Sequence, residues 1–263
     1  MSETKQTLRN TLVLAAFLFA VLLIWQAVSG LALLPSYAFP SPAQVGGRLV
    51  ELAVDGSLWS SAKASMVRMA LGFSISAALG LLLGLSMGTS EVVNTCLRSL
   101  FLGLQTLPSA AWVPISLLVF GLSDTAIYFV IVMSSTAAMA IATADGISHI
   151  PPVLLRAAQT LGTTRRAMST RVVLPAALPS IVTGIKLGWT LGWHGVVSAE
   201  LIKSSVGLGF LLHAGRELND AAQVIGIMLV TVLIGLVLDR LLFATVERRV
   251  RTRWGFAPAG AGA

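Results

Sequence analysis

The chain has 263 residues, of which 56% are hydrophobic and 11% charged, and its mean hydropathy is +0.85. A soluble domain carries about 25% charged residues, so this composition excludes a water-soluble enzyme. It also excludes a disordered chain, because disorder requires low hydrophobicity. The single cysteine, Cys96, excludes a disulfide framework and a thiolate metal site. The composition indicates an integral membrane protein.

Long runs without charged residues predict the membrane-spanning elements. Six runs, one of them interrupted only by Lys186, can each hold the roughly 20 apolar residues that a bilayer-spanning helix needs. They are too long and too uniformly apolar for barrel strands of about ten residues. We therefore predict an all-α polytopic membrane protein with a single transmembrane domain over 1–263. Its six transmembrane helices are expected at 11–34, 65–87, 100–122, 125–144, 178–201 and 221–242.

The first apolar run has two interpretations. Lys5 and Arg9 precede it, as in a secretory signal peptide, and residues 27–29 (Ala-Val-Ser) make a passable cleavage site. The run stays apolar as far as Leu34, however, which favours a span that is retained.

Residues 36–58 connect the first two predicted spans on the outer side. They open with a proline-rich turn, Phe-Pro-Ser-Pro at 39–42, and continue with apolar residues at helical spacing beside charged ones. This pattern predicts a short amphipathic helix on the outer surface. Its apolar positions are Val45, Leu49, Leu52 and Val54.

Glycines and prolines predict how the second and third spans pack and bend. Gly80, Gly84 and Gly88 lie four residues apart, which is typical of a helix face in close contact with a neighbour. The third span contains Pro108 and Pro114, and each removes a backbone donor and is expected to bend the helix.

Lysine and arginine are distributed unevenly between the two sides. If the N-terminus is cytoplasmic, twelve of them lie in cytoplasmic segments and five in external ones, with Lys186 inside a span. The positive-inside rule then predicts that both termini are cytoplasmic. The net charge of +7 is mostly a signal of topology, and no soluble basic face remains for a nucleic acid.

The longest predicted cytoplasmic connection, residues 145–175, contains another amphipathic segment. Pro151 and Pro152 open it, and proline is well placed at a helix start because the first amides have no partner within the helix. A helix here either rests on lipid headgroups, which its arginines favour, or docks a cytoplasmic partner.

The same connection carries a family signature. Ala157-Ala158, Gly162, Val172 and Leu174-Pro175 resemble the pattern of bacterial ATP-binding-cassette importer permeases. That pattern reads Glu-Ala-Ala, three residues, Gly, nine residues, Ile, one residue, Leu-Pro. The spacing is kept, with Arg156 in place of the Glu and Val172 in place of the Ile.

Further runs resemble the nitrate/sulfonate/taurine branch of that family, and the resemblance extends from about residue 34 to residue 255. These runs are Leu-Gln-Thr-Leu-Pro at 104–108, Phe-Gly-Leu at 120–122, Val-Leu-Pro-Ala-Ala-Leu-Pro-Ser at 173–180, Ala-Glu-Leu at 199–201 with Gly-Leu-Gly at 207–209, and Leu-Asp-Arg at 238–240.

The resemblance implies a type I importer permease fold in a bacterial inner membrane. It implies a pair of permease copies, two cytoplasmic ATPase subunits that bind ATP and Mg, and an extracytoplasmic substrate-binding protein. The substrate would be a small anion: a sulfonate such as taurine, nitrate or bicarbonate. In the family the loop helix couples the permease to the ATPase, so the implied coupling residues are Arg156, Ala157, Ala158, Leu161, Gly162 and Pro175.

One face of the fifth span is a candidate translocation path. At about 100° per residue, Lys186, Trp189, Trp193 and Glu200 share a face opposite a row of glycines at 184, 188, 192 and 195. Lys186 would attract an anion and the indoles would donate hydrogen bonds. Alternatively, Lys186 snorkels to the headgroups and Glu200 simply meets water or Lys203 near the outer end. The glycine row should pack closely against another span.

A second polar stripe lies in the third span. Gln105, Ser109, Trp112 and Ser116 share one side, where they either line the path or form hydrogen bonds between helices. His194 lies off the charged face of the fifth span, and we interpret it as a packing residue.

Two other classes of function remain as alternatives. A stand-alone secondary carrier or channel for small anions lacks support from inverted halves or paired broken helices, and it leaves the loop helix unexplained. A membrane-embedded enzyme would need a catalytic constellation that the spans lack. Without a Gly-x-x-x-x-Gly-Lys-Ser/Thr phosphate loop, ATP hydrolysis is expected on another subunit. We expect no catalytic residue, metal or cofactor on this chain.

Overall fold

A computed structural model gives the fold, and it describes residues 3–31, 35, 38–203 and 205–243. The α-helices are α1 Glu3–Gly30, α2 Pro42–Val54, α3 Ser57–Thr89, α4 Glu91–Gln105, α5 Trp112–Phe120, α6 Asp124–Ser148, α7 Pro152–Thr160, α8 Arg165–Met168, α9 Leu174–Lys203, α10 Leu208–Glu217 and α11 Ala221–Leu238. A 3₁₀ turn, Ser109–Ala111, precedes α5, and π-helical turns, Ser169–Val173 and Asp239–Phe243, precede α9 and follow α11.

The predicted all-α class is confirmed, and no strand occurs in the part of the chain that the structure describes. Helices α1, α3, α6, α9 and α11 are long and apolar enough to cross a membrane. The pair α4 and α5 provides a sixth candidate span if the two count as one broken helix. Residues 32–34, the end of the first predicted span, and residues 244–263 lie outside the described residues.

Several helices extend beyond the spans expected from the apolar runs. Helix α3 begins at Ser57 rather than at residue 65, and α6 continues to Ser148 rather than ending at residue 144. The sequence signal follows hydropathy, whereas a helix continues through polar residues for as long as its backbone hydrogen bonds are kept. The expected loop 145–175 is therefore helical at its start.

The third predicted span, residues 100–122, differs most from expectation. Its first helix begins at Glu91, the chain leaves the helix after Gln105, and the second helix turns away by 95°. Pro108 lies at this break and accounts for it, because proline lacks an amide and disfavours helical geometry at the residue before it. Pro114 does not bend the chain, since it lies in the first turn of α5, where no amide partner is lost.

Helix α6 forms the centre of the bundle and packs against two glycine rows. A Cβ atom added to Gly80 of α3 would lie 2.6 Å from the Cβ of Met139. In the glycine row of α9, one added to Gly184 would lie 2.6 Å from the Cβ of Ala142. Both predicted glycine faces are thus confirmed as close helix contacts, which membrane helices use to gain van der Waals packing.

The amphipathic helix expected after the first span is α2. Ser41 caps its N-terminus through a reciprocal pair of hydrogen bonds with Gln44, and Val45 and Leu52 are buried. Arg48 fixes α2 to the start of α11, through an ion pair of 2.9 Å with Asp220 and a hydrogen bond of 2.8 Å to Gln223.

Candidate functional site

Helix α7 is the short helix that the 145–175 connection was expected to hold. Pro151 precedes it and Pro152 is its first residue. It ends in a Schellman motif: the amide of Gly162 donates to the carbonyl of Gln159 at 2.9 Å, and that of Thr163 to the carbonyl of Ala158 at 3.2 Å. Gly162 has φ of +74°, a conformation that favours glycine.

The apolar side of α7 is divided between the protein interior and the surface. Ala158 is buried against its own chain, whereas Val153 is 71% exposed and Leu161 is 86% exposed. Arg156 and Ala157 are exposed as well, and Arg156 forms no ion pair with any residue in the described ranges. The surface made by Val153, Leu154, Arg156, Ala157 and Leu161, which we call the α7 surface, is available to a partner.

The segment that joins α7 to the bundle runs from Gly162 to Pro175. Pro175 is the second residue of α9, directly after the π-helical turn Ser169–Val173, and it is partly buried. Beside this segment is a cavity of about 760 Å³ between the end of α6 and the starts of α7 and α9, lined in part by Asp145, His149 and Leu154. Asp145 also forms an ion pair with Arg98, which joins α6 to α4.

Glu200 is an internal partner rather than an exposed side chain. It is fully buried, and its carboxylate accepts hydrogen bonds from the Ser65 hydroxyl at 2.7 Å, from Arg68 at 2.9 Å and from the Gly209 amide at 3.1 Å. These bonds join α9 to α3 and to the start of α10. The side chain of Lys203, the alternative partner, lies outside the described residues.

Lys186 is also paired within the chain. Its Nζ lies 3.0 Å from Asp239 Oδ1 in the π-helical turn after α11, and both side chains are about one third exposed. The ion pair compensates the charge that was expected to attract an anion, and it gives Lys186 a protein partner rather than a headgroup.

The two tryptophans of the same face pack against neighbouring helices. Trp189 and Trp193 are buried, and Trp189 makes an edge-to-face contact with Phe73 of α3 at 5.0 Å and a tilted contact with Phe243 at 5.7 Å. Neither indole nitrogen has a hydrogen-bond partner among the described residues. This face of α9 therefore lies inside the protomer, against α3 and the end of α11.

Three residues of the stripe in the third span do come together around an open space. Gln105, Ser109 and Trp112 line a cavity of about 570 Å³ at the break between α4 and α5, which we call the bend cavity. Ser116 does not line it, because its buried hydroxyl donates to the carbonyl of Val113 at 2.8 Å.

The wall that α9 contributes to the bend cavity is not the one expected. It consists of Leu187, Leu191, His194 and Ser198, and α6 adds Met133 and Ser134. His194, which the sequence suggested as a packing residue, is exposed at this cavity. These four residues of α9 are spaced by four, three and four positions, which is the spacing of one helical face, so the sequence contained a signal that they share a side.

No group of three or more His, Cys, Asp or Glu side chains within the described residues is arranged to hold a metal ion. The bend cavity itself is lined by apolar residues, by polar residues that do not ionise and by His194.

Comparison with known proteins identifies clear relatives. Residues 76–252 match the family described as binding-protein-dependent transport system inner membrane component. The taurine transport system permease protein TauC of Escherichia coli is 32% identical over 242 residues, which cover 90% of this chain and 87% of TauC. The bicarbonate transport system permease protein CmpB of Synechococcus elongatus is 32% identical over 252 residues, covering 91% and 90%.

The fold has a counterpart among solved structures. A chain of the MetNI methionine ABC transporter, solved in inward-facing conformations, superposes with a TM-score of 0.57 at 16% identity. The match covers 70% of this chain and 93% of that one. At this identity the likeness concerns the fold alone, which is that of a type I importer permease.

Proposed function

The chain belongs to the family of binding-protein-dependent transport system inner membrane components, and from this membership we propose that it is the permease of an ATP-driven importer of small oxyanions. As a member of that family it is a multi-pass permease subunit of an inner membrane. The proposal concerns its substrate, its energy source and its assembly.

The substrate class rests on the relatives. A permease named for taurine and one named for bicarbonate are equally similar to this chain, at 32% identity. Both substrates carry negative charge on oxygen atoms, so a small oxyanion is the class they share. Within it we place an aliphatic sulfonate such as taurine first, with bicarbonate and nitrate as the other candidates.

The energy source is proposed to be a separate ATPase that docks on the α7 surface. The observation that carries this is the exposure of Leu161 and Val153 on a short helix whose end is fixed by Gly162. Covering apolar side chains with a partner stabilises the complex, by about 25 cal/mol for each Å² of apolar surface removed from water. Closure of the ATPase around ATP would then move α7 and, through the segment up to Pro175, α9.

The assembly is proposed to contain two copies of this chain, two ATPase subunits and an extracytoplasmic binding protein, with both termini of the permease in the cytoplasm. The bend cavity supports the pairing, because it is open on one side and exposes Gln105 and His194 there. A second copy related by a two-fold axis would close this side with the same surface.

The test is reconstitution in liposomes. We expect uptake of labelled taurine, nitrate or bicarbonate only when the permease is supplied with its ATPase, its binding protein, ATP and Mg. Uptake by the purified chain alone, driven by an ion gradient, would overturn the proposal and favour a secondary carrier.

A variant pair tests the docking surface in the same assay. Leu161→Asp should abolish binding of the ATPase while leaving the permease folded, because the side chain is 86% exposed in the protomer. Leu161→Met keeps the apolar contact and should bind normally. Equal ATPase binding by both variants would contradict docking at this surface.

A further inference from the structure

We propose that the bend cavity is where the transported oxyanion is bound during its passage, and that it is held there by neutral hydrogen-bond donors instead of a charged residue. This rests on the proposed function, since it assigns a site to the substrate class proposed above. The site replaces the charged face of α9 that the sequence suggested.

The cavity wall supplies a set of donors that converge from three helices. Gln105 and Ser109 come from the break between α4 and α5, Ser134 from α6, and His194 and Ser198 from α9. The hydroxyl of Ser134 is buried and has no hydrogen-bond partner within the described residues. Because the Ser134 hydroxyl is buried, its side chain would have to rotate to donate a hydrogen bond to an oxyanion, whereas Gln105 and His194 are already exposed at the cavity.

The helix break adds a second source of attraction for an anion. After the 95° turn the chain resumes helical structure at Ser109, and Ser109 and Ala110 are among the residues that line the cavity. Helix N-termini carry a partial positive charge, and broken membrane helices present such ends to anionic substrates. This attraction requires no charged side chain.

Three cations of the bundle are paired with carboxylates of the same chain. Lys186 is paired with Asp239, Arg68 with Glu200 and Arg98 with Asp145. The cavity wall itself contains no acidic or basic residue among those described, apart from the imidazole of His194. An anion in the cavity therefore meets dipoles rather than a fixed charge.

Weak binding by dipoles is compatible with transport along a translocation path. A transported ion must leave as readily as it enters, and a permanent cation would retain it. The volume of about 570 Å³ leaves room for a small anion and several waters, since water occupies about 30 Å³ per molecule in the liquid. Bridging waters would let the same donors accept a sulfonate, a nitrate or a bicarbonate.

The test compares variants of the cavity wall in the complete reconstituted assembly, at saturating binding protein and saturating labelled taurine, nitrate or bicarbonate. The donor-removing variants are Ser134→Ala, Gln105→Leu and His194→Leu. Each has a reference: His194→Gln keeps a neutral donor, while Ser99→Ala and Thr190→Val remove hydroxyls that bond only to their own helices, at Thr95 and Lys186.

We expect each donor-removing variant to lower the uptake rate about tenfold, the equivalent of about 1.4 kcal/mol, which is the size of one hydrogen bond to a charged group. ATP hydrolysis per assembly should stay at the parental rate, so fewer anions are carried for each ATP. Ser99→Ala and Thr190→Val should transport normally, and His194→Gln should keep more of the parental uptake rate than His194→Leu does.

A charge-adding variant tests the neutrality of the site. Gln105→Lys places a cation at the cavity wall, and it should slow uptake while increasing the amount of anion retained by the purified assembly. Faster uptake without retention would overturn the proposal that weak neutral binding is required.

The outcomes separate the two hypotheses. If the parental assembly transports an oxyanion with ATP but the three donor-removing variants match it, the bend cavity is not the site and the proposed function stands. If the parental assembly shows no ATP-dependent oxyanion uptake, the proposed function fails and the site fails with it.

Discussion

At the scale of single residues, the fifth span shows what a helical pattern can and cannot predict. The pattern correctly puts Lys186, Trp189, Trp193 and Glu200 on one face, but it does not say what that face meets. In the structure the face meets α3 and the end of α11, so Glu200 binds Arg68 and Lys186 binds Asp239. The partners lie more than fifty residues away along the chain, and no local signal connects them.

Glu200→Gln should destabilise the permease. The variant keeps the shape but leaves Arg68, whose side chain is only 13% exposed, without its buried counter-charge. Breaking a buried pair costs about 3 kcal/mol, and the ion pair of 3.2 Å between Arg68 and Asp124 should reduce that loss. The measurement is the Tm in detergent, with the exposed Glu217→Gln as the matched control. Equal Tm values for the two variants would show that the buried network does not stabilise the fold.

A double variant distinguishes a structural from an electrostatic role for Lys186. Lys186→Ala should lower the Tm and slow uptake, because Asp239 is left without its partner. The combination of Lys186→Ala and Asp239→Ala should recover both, with a coupling of about 0.2–1 kcal/mol for a partly exposed pair. If the double variant recovers its Tm but still transports slowly, the Lys186 charge acts on the anion and the neutral bend cavity is insufficient.

At the scale of elements, the sequence predicted helix α7 and its end more accurately than the bend of the third span. Prolines at 151 and 152 and glycine at 162 are local signals, and the helix begins and ends between them. Pro108 also indicated a bend, but its angle of 95° depends on how α5 packs on α6 and how the 3₁₀ turn before it packs on α9, which a helical pattern does not contain.

Gly162→Ala should weaken coupling without any steric clash. A Cβ at this position would have no atom within 4 Å, but φ of +74° is unfavourable for alanine by about 1–2 kcal/mol. The variant should bind less ATPase in a pull-down assay and hydrolyse more ATP per anion carried. Gly46→Ala is the control, because it also meets open space but lies within α2 at ordinary φ. Normal coupling in Gly162→Ala would contradict the role of this turn.

At the scale of the whole molecule, composition and apolar runs were sufficient for the fold class, and the signature in the 145–175 connection was sufficient for the family. The site was not predictable to the same extent. Gln105, Ser109 and Trp112 were correctly grouped, but His194 and Ser198 were missed, because the packing of α9 on α6 decides which of its faces is open.

The proposed pairing predicts the composition of the intact assembly. Native mass spectrometry of the complex in detergent should give two permease chains of 27.5 kDa for every two ATPase subunits. The Glu217→Gln variant, whose substitution is at an exposed position, is the control for sample preparation and should give the same subunit ratio. A complex with one permease chain would contradict the two-fold arrangement and leave the bend cavity open.

The glycine rows beside α6 have a mechanical consequence. On the α3 side, Gly80, Gly84 and Gly88 contact Met139, Thr143 and Ile147 of α6, so glycines four residues apart pack against side chains four residues apart. On the α9 side, Gly184, Gly188 and Gly192 contact Ala142, Met139 and Ser135 of α6, which is antiparallel to α9, so the contacting α6 residues are three and four residues apart. A shift of α6 along α3 by four residues, about 6 Å, would move each side chain to the next glycine, whereas a shift by two residues would leave it against a larger residue. The contacts between α6 and α3 therefore favour axial displacements of α6 in steps of about one helical turn over intermediate ones.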